Sequence, residues 1–171
     1  MLQDPLTLYK LIILYMINLA SFPITTAQIS DFILGKDYTN FITLQSVISE
    51  LAEANLITTE TIRNRTHLSI TEEGLETLHF FENRISDAIK QDITNFFRDN
   101  EYAMRNEVSI VADYYKTTSG EYHAHLLAKE RECNLIDLTL SVPTMELASN
   151  ICDNWQKKNE EIYQYLIDQL F

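Results

Sequence analysis

The chain has 171 residues, 46% of them hydrophobic, with only three glycines and three prolines. This composition fits one large domain, or one domain with a smaller appendage, whose core needs neither disulfides nor metal, and it excludes long disordered linkers. The net charge of −12 is spread evenly, since residues 1–83 carry four Lys and Arg against ten Asp and Glu, and it disfavours nonspecific binding to nucleic acid or anionic membranes.

The first predicted element is an apolar helix over residues 6–20. Its run from Leu11 to Phe22 spans 12 residues, whereas about 20 are needed to cross a bilayer, so we expect no membrane segment. The segment before it lacks the positive charge of a secretory signal, which favours a cytoplasmic protein with Cys133 and Cys152 as ordinary thiols. Because the helix is apolar on nearly every side, it must be covered on more than one face. The chain's own core can do this, but a partner subunit would do it more easily, which favours a dimer.

Two more helices are predicted next. Thr25 and Gln28 have the spacing of a capping box, so a second helix is predicted over residues 26–34, with Gly35 as the left-handed residue that ends it. The segment TNFITLQSVISELAEAN predicts a third helix that Asn55 closes. Apolar residues at helical spacing predict the buried stripe of this third helix: Phe41, Leu44, Val47, Ile48, Leu51 and Ala54.

A hairpin and a fourth helix complete the first half. LITTETI and HLSI predict two strands around the turn RNRT, and Thr71 caps a helix that begins with two glutamates. Three helices, a hairpin and a helix are the order of a winged helix-turn-helix. The stretch LITTETIRNRTHLSITEEGLETL resembles the hairpin of MarR-like and PadR-like bacterial regulators, where a strand leads into a Thr-capped T-x-x-G-x-x-x-L helix.

The whole chain further resembles a family of uncharacterised bacterial proteins with an N-terminal winged helix and a C-terminal α/β extension. The two resemblances imply a winged helix-turn-helix domain over residues 1–84, with the DNA-binding function of such regulators, and an extension over residues 85–171.

The sequence of the extension predicts a helix, then an antiparallel sheet, then a second helix. A helix is expected over residues 86–100, and VSIVADYYK, YHAHLLAKE and NLIDLTLSVP alternate in polarity as three strands with one wet face. A long C-terminal helix, from Thr144 to about Leu170, should cover the dry face with Met145, Ala148, Cys152, Trp155, Ile162, Tyr163 and Leu166. The predicted fold class is therefore α+β. A pocket for a small-molecule effector between sheet and helix stays open as an alternative to a plain core.

The third helix is the first candidate for DNA contact, because a winged helix places it in the major groove. Asn and Gln can pair with adenine, and Ser and Thr can bond bases or phosphates. The candidate residues at its outward positions are Asn40, Thr43, Gln45, Ser46 and Ser49. The helix has no Lys or Arg, and its glutamates Glu50 and Glu53 would repel phosphates. A protein-binding helix therefore remains the alternative.

The predicted wing turn is the second candidate. Arg63 and Arg65 flank Asn64 and are two of only four cations in residues 1–83, and Lys36 before the third helix is a further candidate. Arginines so placed suit a minor groove or neighbouring phosphates, although a solvated turn has the same composition. With so few cations, we expect modest affinity and a weak dependence on salt.

Nothing in the sequence indicates catalysis. No nucleophile elbow or Gly-rich phosphate loop occurs, and the pair His123 and His125 lies on a strand face that also carries Glu121 and Lys129, so it suits solvent better than metal. We therefore expect no enzymatic activity, cofactor or metal. The favoured function is a homodimeric transcriptional regulator that binds double-stranded DNA, and a winged-helix protein-interaction module is the alternative.

Overall fold

The computed structural model of the protein describes residues 4–62, 64–130 and 133–171, with the backbone alone at residues 102, 107 and 108. The described chain mixes helices with two three-stranded antiparallel sheets, so the predicted α+β class is confirmed. It forms two compact units, Met1–Met104 and Arg105–Phe171. Among the described helices, none has both the length and the apolar character required to cross a membrane.

The first unit is mostly helical. Its elements are α1 (Pro5–Leu19), β1 (Ile24–Thr25), α2 (Thr26–Gly35), α3 (Phe41–Glu53), β2 (Ile57–Ile62), β3 (Arg65–Ile70), α4 (Glu72–Phe81), a 3₁₀ turn (Glu82–Arg84) and the start of α5 (Asp87–Ser109). The strands form a sheet in the order β1-β3-β2. The hairpin of β2 and β3 was predicted, whereas β1, which pairs Ile24 with Leu68, was not.

Helix α1 is the centre of the first unit. Ile12, Ile13 and Met16 are 0% exposed, because α3, α4 and β3 pack around the helix. Of the two ways to cover this apolar helix, the chain's own core is the one the structure shows. The apolar character of α1 therefore gives no reason to expect a partner subunit.

Side-chain caps set the helix starts much as the sequence predicted. The Thr25 hydroxyl accepts the N–H of Gln28 at 3.2 Å while the Gln28 side-chain oxygen accepts the N–H of Thr25 at 3.0 Å, which completes the capping box. The prediction for Gly35 was wrong, because Gly35 is the last residue of α2 and the left-handed residue is Asp37, with φ 55°. Asn55, with φ 58°, follows α3 as predicted.

The first unit extends beyond the predicted boundary at residue 84. Ile93, Phe97 and Met104 of α5 are buried in its core, at 0%, 7% and 5% exposure. Helix α5 runs to Ser109, and its buried contacts continue to Met104, so the prediction that the helix ends near residue 100 was wrong. The prediction that the next strand begins at Val108 was wrong for the same reason.

The second unit is a sheet covered on one face by a helix. Strands β4 (Ile110–Lys116), β5 (Tyr122–Glu130) and β6 (Cys133–Val142) lie in the order β4-β5-β6, and α6 (Met145–Leu170) packs on them. Trp155 is 1% exposed, and its ring N–H donates to the Leu127 carbonyl at 3.1 Å. The long covering helix is thus confirmed. The prediction that Met145 packs on the sheet was wrong, because Met145 is the first residue of the helix and is 56% exposed.

Candidate functional site

Helix α3 buries one stripe and exposes the opposite one. Leu44, Val47 and Leu51 are 0% exposed, whereas Ile42, two positions before Leu44, is 81% exposed. Positions three and four residues apart share a helix face. The outward face therefore consists of Ile42, Gln45, Ser46 and Ser49, of which Gln45 is half-buried and the two serines are exposed. This face carries hydrogen-bonding groups and a methyl-rich side chain but no cation.

Two predicted contact residues help to build the helix start. The Asn40 side-chain oxygen accepts the backbone N–H of Thr43 at 2.9 Å, which makes Asn40 the N-cap of α3. Bidentate pairing with adenine needs both the oxygen and the amino group of an asparagine. The cap occupies one of the two lone pairs of that oxygen, so Asn40 positions the start of α3, and its contact with a base stays a prediction. The side chain of Thr43 is half-buried.

The first turn of α3 exposes two neighbouring apolar side chains, Phe41 and Ile42, which the sequence analysis did not predict as an apolar surface. Phe41 is 58% exposed, so its placement in the buried stripe was wrong, and Ala54 of the same predicted stripe is exposed just after the helix. Both positions lie at the helix ends, beyond the core that covers Leu44 to Leu51. Helical spacing alone does not show where along a helix the core stops.

The acidic half of α3 is partly neutralised by α1. The ammonium of Lys10 lies 2.6 Å from one carboxylate oxygen of Glu50, and the Ser46 hydroxyl donates to the other at 3.4 Å. The hydrogen bond from Lys10 holds the pKa of Glu50 below its ordinary value, and the charge of Lys10 adds to this. Glu50 therefore presents less negative charge on α3 than its sequence suggested.

Lys36, another predicted DNA contact, is held by the chain itself. Its ammonium lies 3.2 Å from one oxygen of Asp92 on α5, and the Tyr38 hydroxyl donates to the other oxygen at 3.3 Å. Burial raises the pKa of Tyr38, and the neighbouring Asp92 charge and hydrogen bond raise it further. The charge of Lys36 is thus compensated, which weakens its case as a phosphate contact.

The hairpin of β2 and β3 projects from the first unit. Residues 58–62 of β2 are exposed on both faces, and Thr61 and Thr66 bond across the strands at 3.3 Å. Asn64 has φ 65°, the left-handed conformation that asparagine tolerates in tight turns, and Arg65 is exposed at the start of β3. The predicted contact Arg63 lies outside the described residues. The geometry therefore places Asn64 and Arg65 at the tip, where sequence reasoning put them.

The sequence of the chain was compared with protein families and with individual proteins. A family model described as "Domain of unknown function (DUF4364)" matches residues 9–170. The chain belongs to the DUF4364 family. Searches for similar curated proteins and for similar solved structures gave no significant match. Because the matched range runs through both compact units, the DUF4364 domain comprises the helical unit and the sheet unit together.

The second unit of this DUF4364 chain holds the two histidines that suggested a metal. His125 contacts Asp137 across β5 and β6 at 2.6 Å, and His123 contacts the Tyr115 hydroxyl at 3.3 Å. Within residues 4–62, 64–130 and 133–171, no three His, Cys, Asp or Glu side chains converge in a way that could hold a metal ion. The histidines are instead members of polar pairs between neighbouring strands.

Proposed function

We propose that the first unit of this DUF4364 chain is a winged helix-turn-helix that binds double-stranded DNA, and that the protein is a homodimeric transcriptional regulator of the cytoplasm. In this proposal α3 enters the major groove and the hairpin of β2 and β3 is the wing. The observation that carries it is the outward face of α3, which is neutral and rich in hydrogen-bonding groups and lies on the helix that precedes the projecting hairpin.

Each residue of that face has a partner in a major groove. Gln45 can donate to and accept from adenine in a bidentate pair, and Ser46 and Ser49 can bond a base edge or a phosphate. Ile42, at 81% exposure, suits apolar contact with a thymine methyl group. The compensation of Glu50 by Lys10 removes part of the repulsion that the acidic half of α3 would exert on phosphates.

The cations available for phosphate contact are few. Lys10 and Lys36 lie in ion pairs with Glu50 and Asp92. The other two cations of residues 1–83 are Arg63 and Arg65, and the proposal assigns them to phosphate contact at the wing. Affinity must therefore come largely from base contacts and from two copies acting together. A homodimer supplies this second copy and spaces two reading helices for two half-sites.

A protein-interaction module is the second candidate. The exposed Phe41 and Ile42 at the start of α3 favour it, because exposed apolar side chains next to one another are typical of protein contact surfaces. In that case α3 would meet the surface of a partner protein, and the neutral residues around Ile42 would form the rim.

The deciding experiment is selection of bound sequences from a pool of random DNA duplexes, at low and at physiological salt. We expect one enriched motif with approximate two-fold symmetry, bound at both salt concentrations. Enrichment of no motif, with binding that vanishes as salt rises, would contradict the regulator proposal and favour the protein-interaction module.

A variant on α3 tests the same proposal at one residue. Gln45→Ala should weaken binding to the selected duplex by about 5- to 150-fold, the cost of about 1–3 kcal/mol for a lost bidentate base contact, and relax the preference at one base pair. The matched control is Gln91→Ala on the exposed surface of α5, which should leave affinity unchanged. Equal affinities of the two variants would remove Gln45 from the interface.

A further inference from the structure

Strand β6 is a long open edge of the second sheet. It runs over Cys133–Val142, and in the described part of the chain β5 is the strand that pairs with it, on one side. Its residues are mostly exposed, including Leu135 at 41% and Leu140 at 38%. A long, apolar edge strand is a template for pairing with another strand, and folded proteins usually block or cover such edges.

At the opposite edge of the sheet, two backbone groups of β4 bond to side chains of their own unit. The Tyr114 N–H donates to the Asp113 side chain at 2.8 Å, and the Ile110 carbonyl accepts from the Gln156 side chain at 3.4 Å. These two backbone groups therefore point away from β5. Because bonding direction alternates along an antiparallel strand, Asp113 and Tyr115 are the β4 residues that bond to β5.

The same alternation shows which groups β6 presents at its open edge. Asp113 and Tyr115 pair with His125 and His123, so the alternate β5 residues, Ala124 and Leu126, direct their backbone groups toward β6. Their partners there are Leu138 and Leu140. The intervening β6 residues, Asp137, Thr139 and Ser141, consequently direct their N–H and C=O groups outward. Within the described residues, no side chain bonds to the backbone at these three positions, whereas two such bonds are made to β4.

We propose that β6 pairs antiparallel with β6 of a second copy of this chain, about a two-fold axis at Leu138. The pairing joins two three-stranded sheets into one of six strands. It sets Leu138 opposite Leu138 of the copy, Ile136 opposite Leu140, and Asp137 opposite Thr139. Every inward residue then meets an inward residue, as an isologous interface requires. This inference names the interface of the homodimer in the proposed function, and it rests on that proposal for its biological role alone.

Charge repulsion and the length of the paired stretch favour the axis at Leu138, and exposed leucines beside β6 favour a second copy of the chain as the partner. An axis at Asp137 would set two carboxylates opposite each other, and like charges in that position destabilise a strand pair. An axis at Thr139 avoids this but pairs the shorter stretch 136–142 in place of 134–142. Helix α6 packs mainly on β4 and β5, and Leu140 and Leu147 stay exposed beside β6, at 38% and 45%. A second copy across β6 would cover this margin.

The test uses opposite charges at one exposed residue of the full chain. Thr139→Lys places an ammonium opposite Asp137 of the copy, twice in each dimer, and Thr139→Asp places a carboxylate there. The dimer dissociation constant should fall with Lys and rise with Asp, each by about 2- to 30-fold, since two cross-strand pairs contribute roughly 0.2–1 kcal/mol each. Sedimentation velocity over the micromolar range, without DNA, measures both constants.

The control is the same pair of substitutions at Thr118, which is exposed in the turn between β4 and β5. Thr118→Lys and Thr118→Asp change the net charge identically and should leave the dissociation constant unchanged. A monomeric wild-type protein throughout that range, or a dimer that responds no differently to the Thr139 variants than to the controls, overturns the proposal.

Cross-linking tests the register independently. In a chain with Cys133→Ser and Cys152→Ser, oxidation of Leu138→Cys should give a covalent dimer, because a non-hydrogen-bonded pair has Cα atoms about 4.5 Å apart, within disulfide range. Thr139→Cys should remain monomeric under denaturing conditions, and the reverse result overturns the axis at Leu138. Neither measurement involves DNA, so a dimer formed through β6 by a protein that selects no motif would reject the proposed function and retain this interface.

Discussion

Gly74 gives the T-x-x-G motif of the fourth helix a steric reason. A Cβ at this position would overlap the backbone oxygen of Leu56 and lie 2.9 Å from the Ile70 side chain. Thr71 contacts the same segment, since its hydroxyl donates to the Asn55 carbonyl at 2.7 Å and its N–H to Leu56 at 3.1 Å. The motif therefore fixes the start of α4 against the connection between α3 and β2, the two elements of the proposed interface.

Gly74→Ala should consequently destabilise the protein. We expect a loss of about 1–3 kcal/mol in the free energy of unfolding, the usual cost of an added methyl group that forces a backbone to move. Gly35→Ala is the control, because no atom lies within 4 Å of its added Cβ and helix propensity favours alanine. Urea unfolding of both variants measures the difference, and a Gly74→Ala protein as stable as wild type would contradict the steric account.

For helix α3, the sequence pattern predicted the buried face but not the contacts with distant parts of the chain. Its stripe at Leu44, Val47 and Leu51 was predicted from helical spacing. Its cap at Asn40 was not predicted, because the sequence analysis assigned Asn40 to DNA contact. The ion pair with Lys10 was not predicted either, since it joins residues far apart in the chain. Strand β1 was missed for a similar reason: two residues have no pattern of their own, and pairing with β3 makes them a strand.

The pairing of Lys10 with Glu50 predicts a pH-dependent link between α1 and α3. Because the folded pKa of Glu50 is depressed, its contribution is present above the unfolded value, about 4.3 for Glu, and is lost as pH falls through the lower folded value. Lys10→Met should raise the pKa of Glu50 toward its ordinary value, as followed by NMR titration of the carboxyl carbon.

Lys10→Arg is the control for that titration, since it keeps a cation within reach of Glu50 and should keep the pKa low. If the pKa of Glu50 stays depressed in Lys10→Met, Lys10 is not its cause. In the proposed function, Lys10→Met should also weaken DNA binding, because the uncompensated Glu50 charge then faces phosphates.

The excess of acidic residues in the first unit limits how strongly it can bind DNA phosphates. Residues 1–104 carry seven Lys and Arg against fourteen Asp and Glu. Ion pairs among the described residues of the unit hold Lys10, Lys36, Lys90 and Arg98, with Glu50, Asp92, Glu82 and Asp99 as their partners. Composition predicted the acidity, but only the folded chain shows which cations are already used. The proposed function assigns the phosphate contacts to the wing arginines, Arg63 and Arg65.

The salt dependence of DNA binding should therefore be shallow and should depend on Arg63 and Arg65. Each phosphate contact contributes a slope of about 0.9 to the fall of log affinity with log salt. Replacing both arginines by alanine should weaken binding and reduce the slope by roughly 0.9 for each arginine that contacts a phosphate, counted over both copies. Fluorescence anisotropy at several salt concentrations gives the slope directly.

Arg98→Ala is the matched control for the wing arginines, because Arg98 belongs to the same unit and its side chain is held by Asp99 at 3.0 Å. Its slope should equal that of the wild type. A wing variant with an unchanged slope would place the phosphate contacts elsewhere on the molecule. A steep wild-type slope that survives in the wing variant would do the same, since it requires more cations than the wing contains.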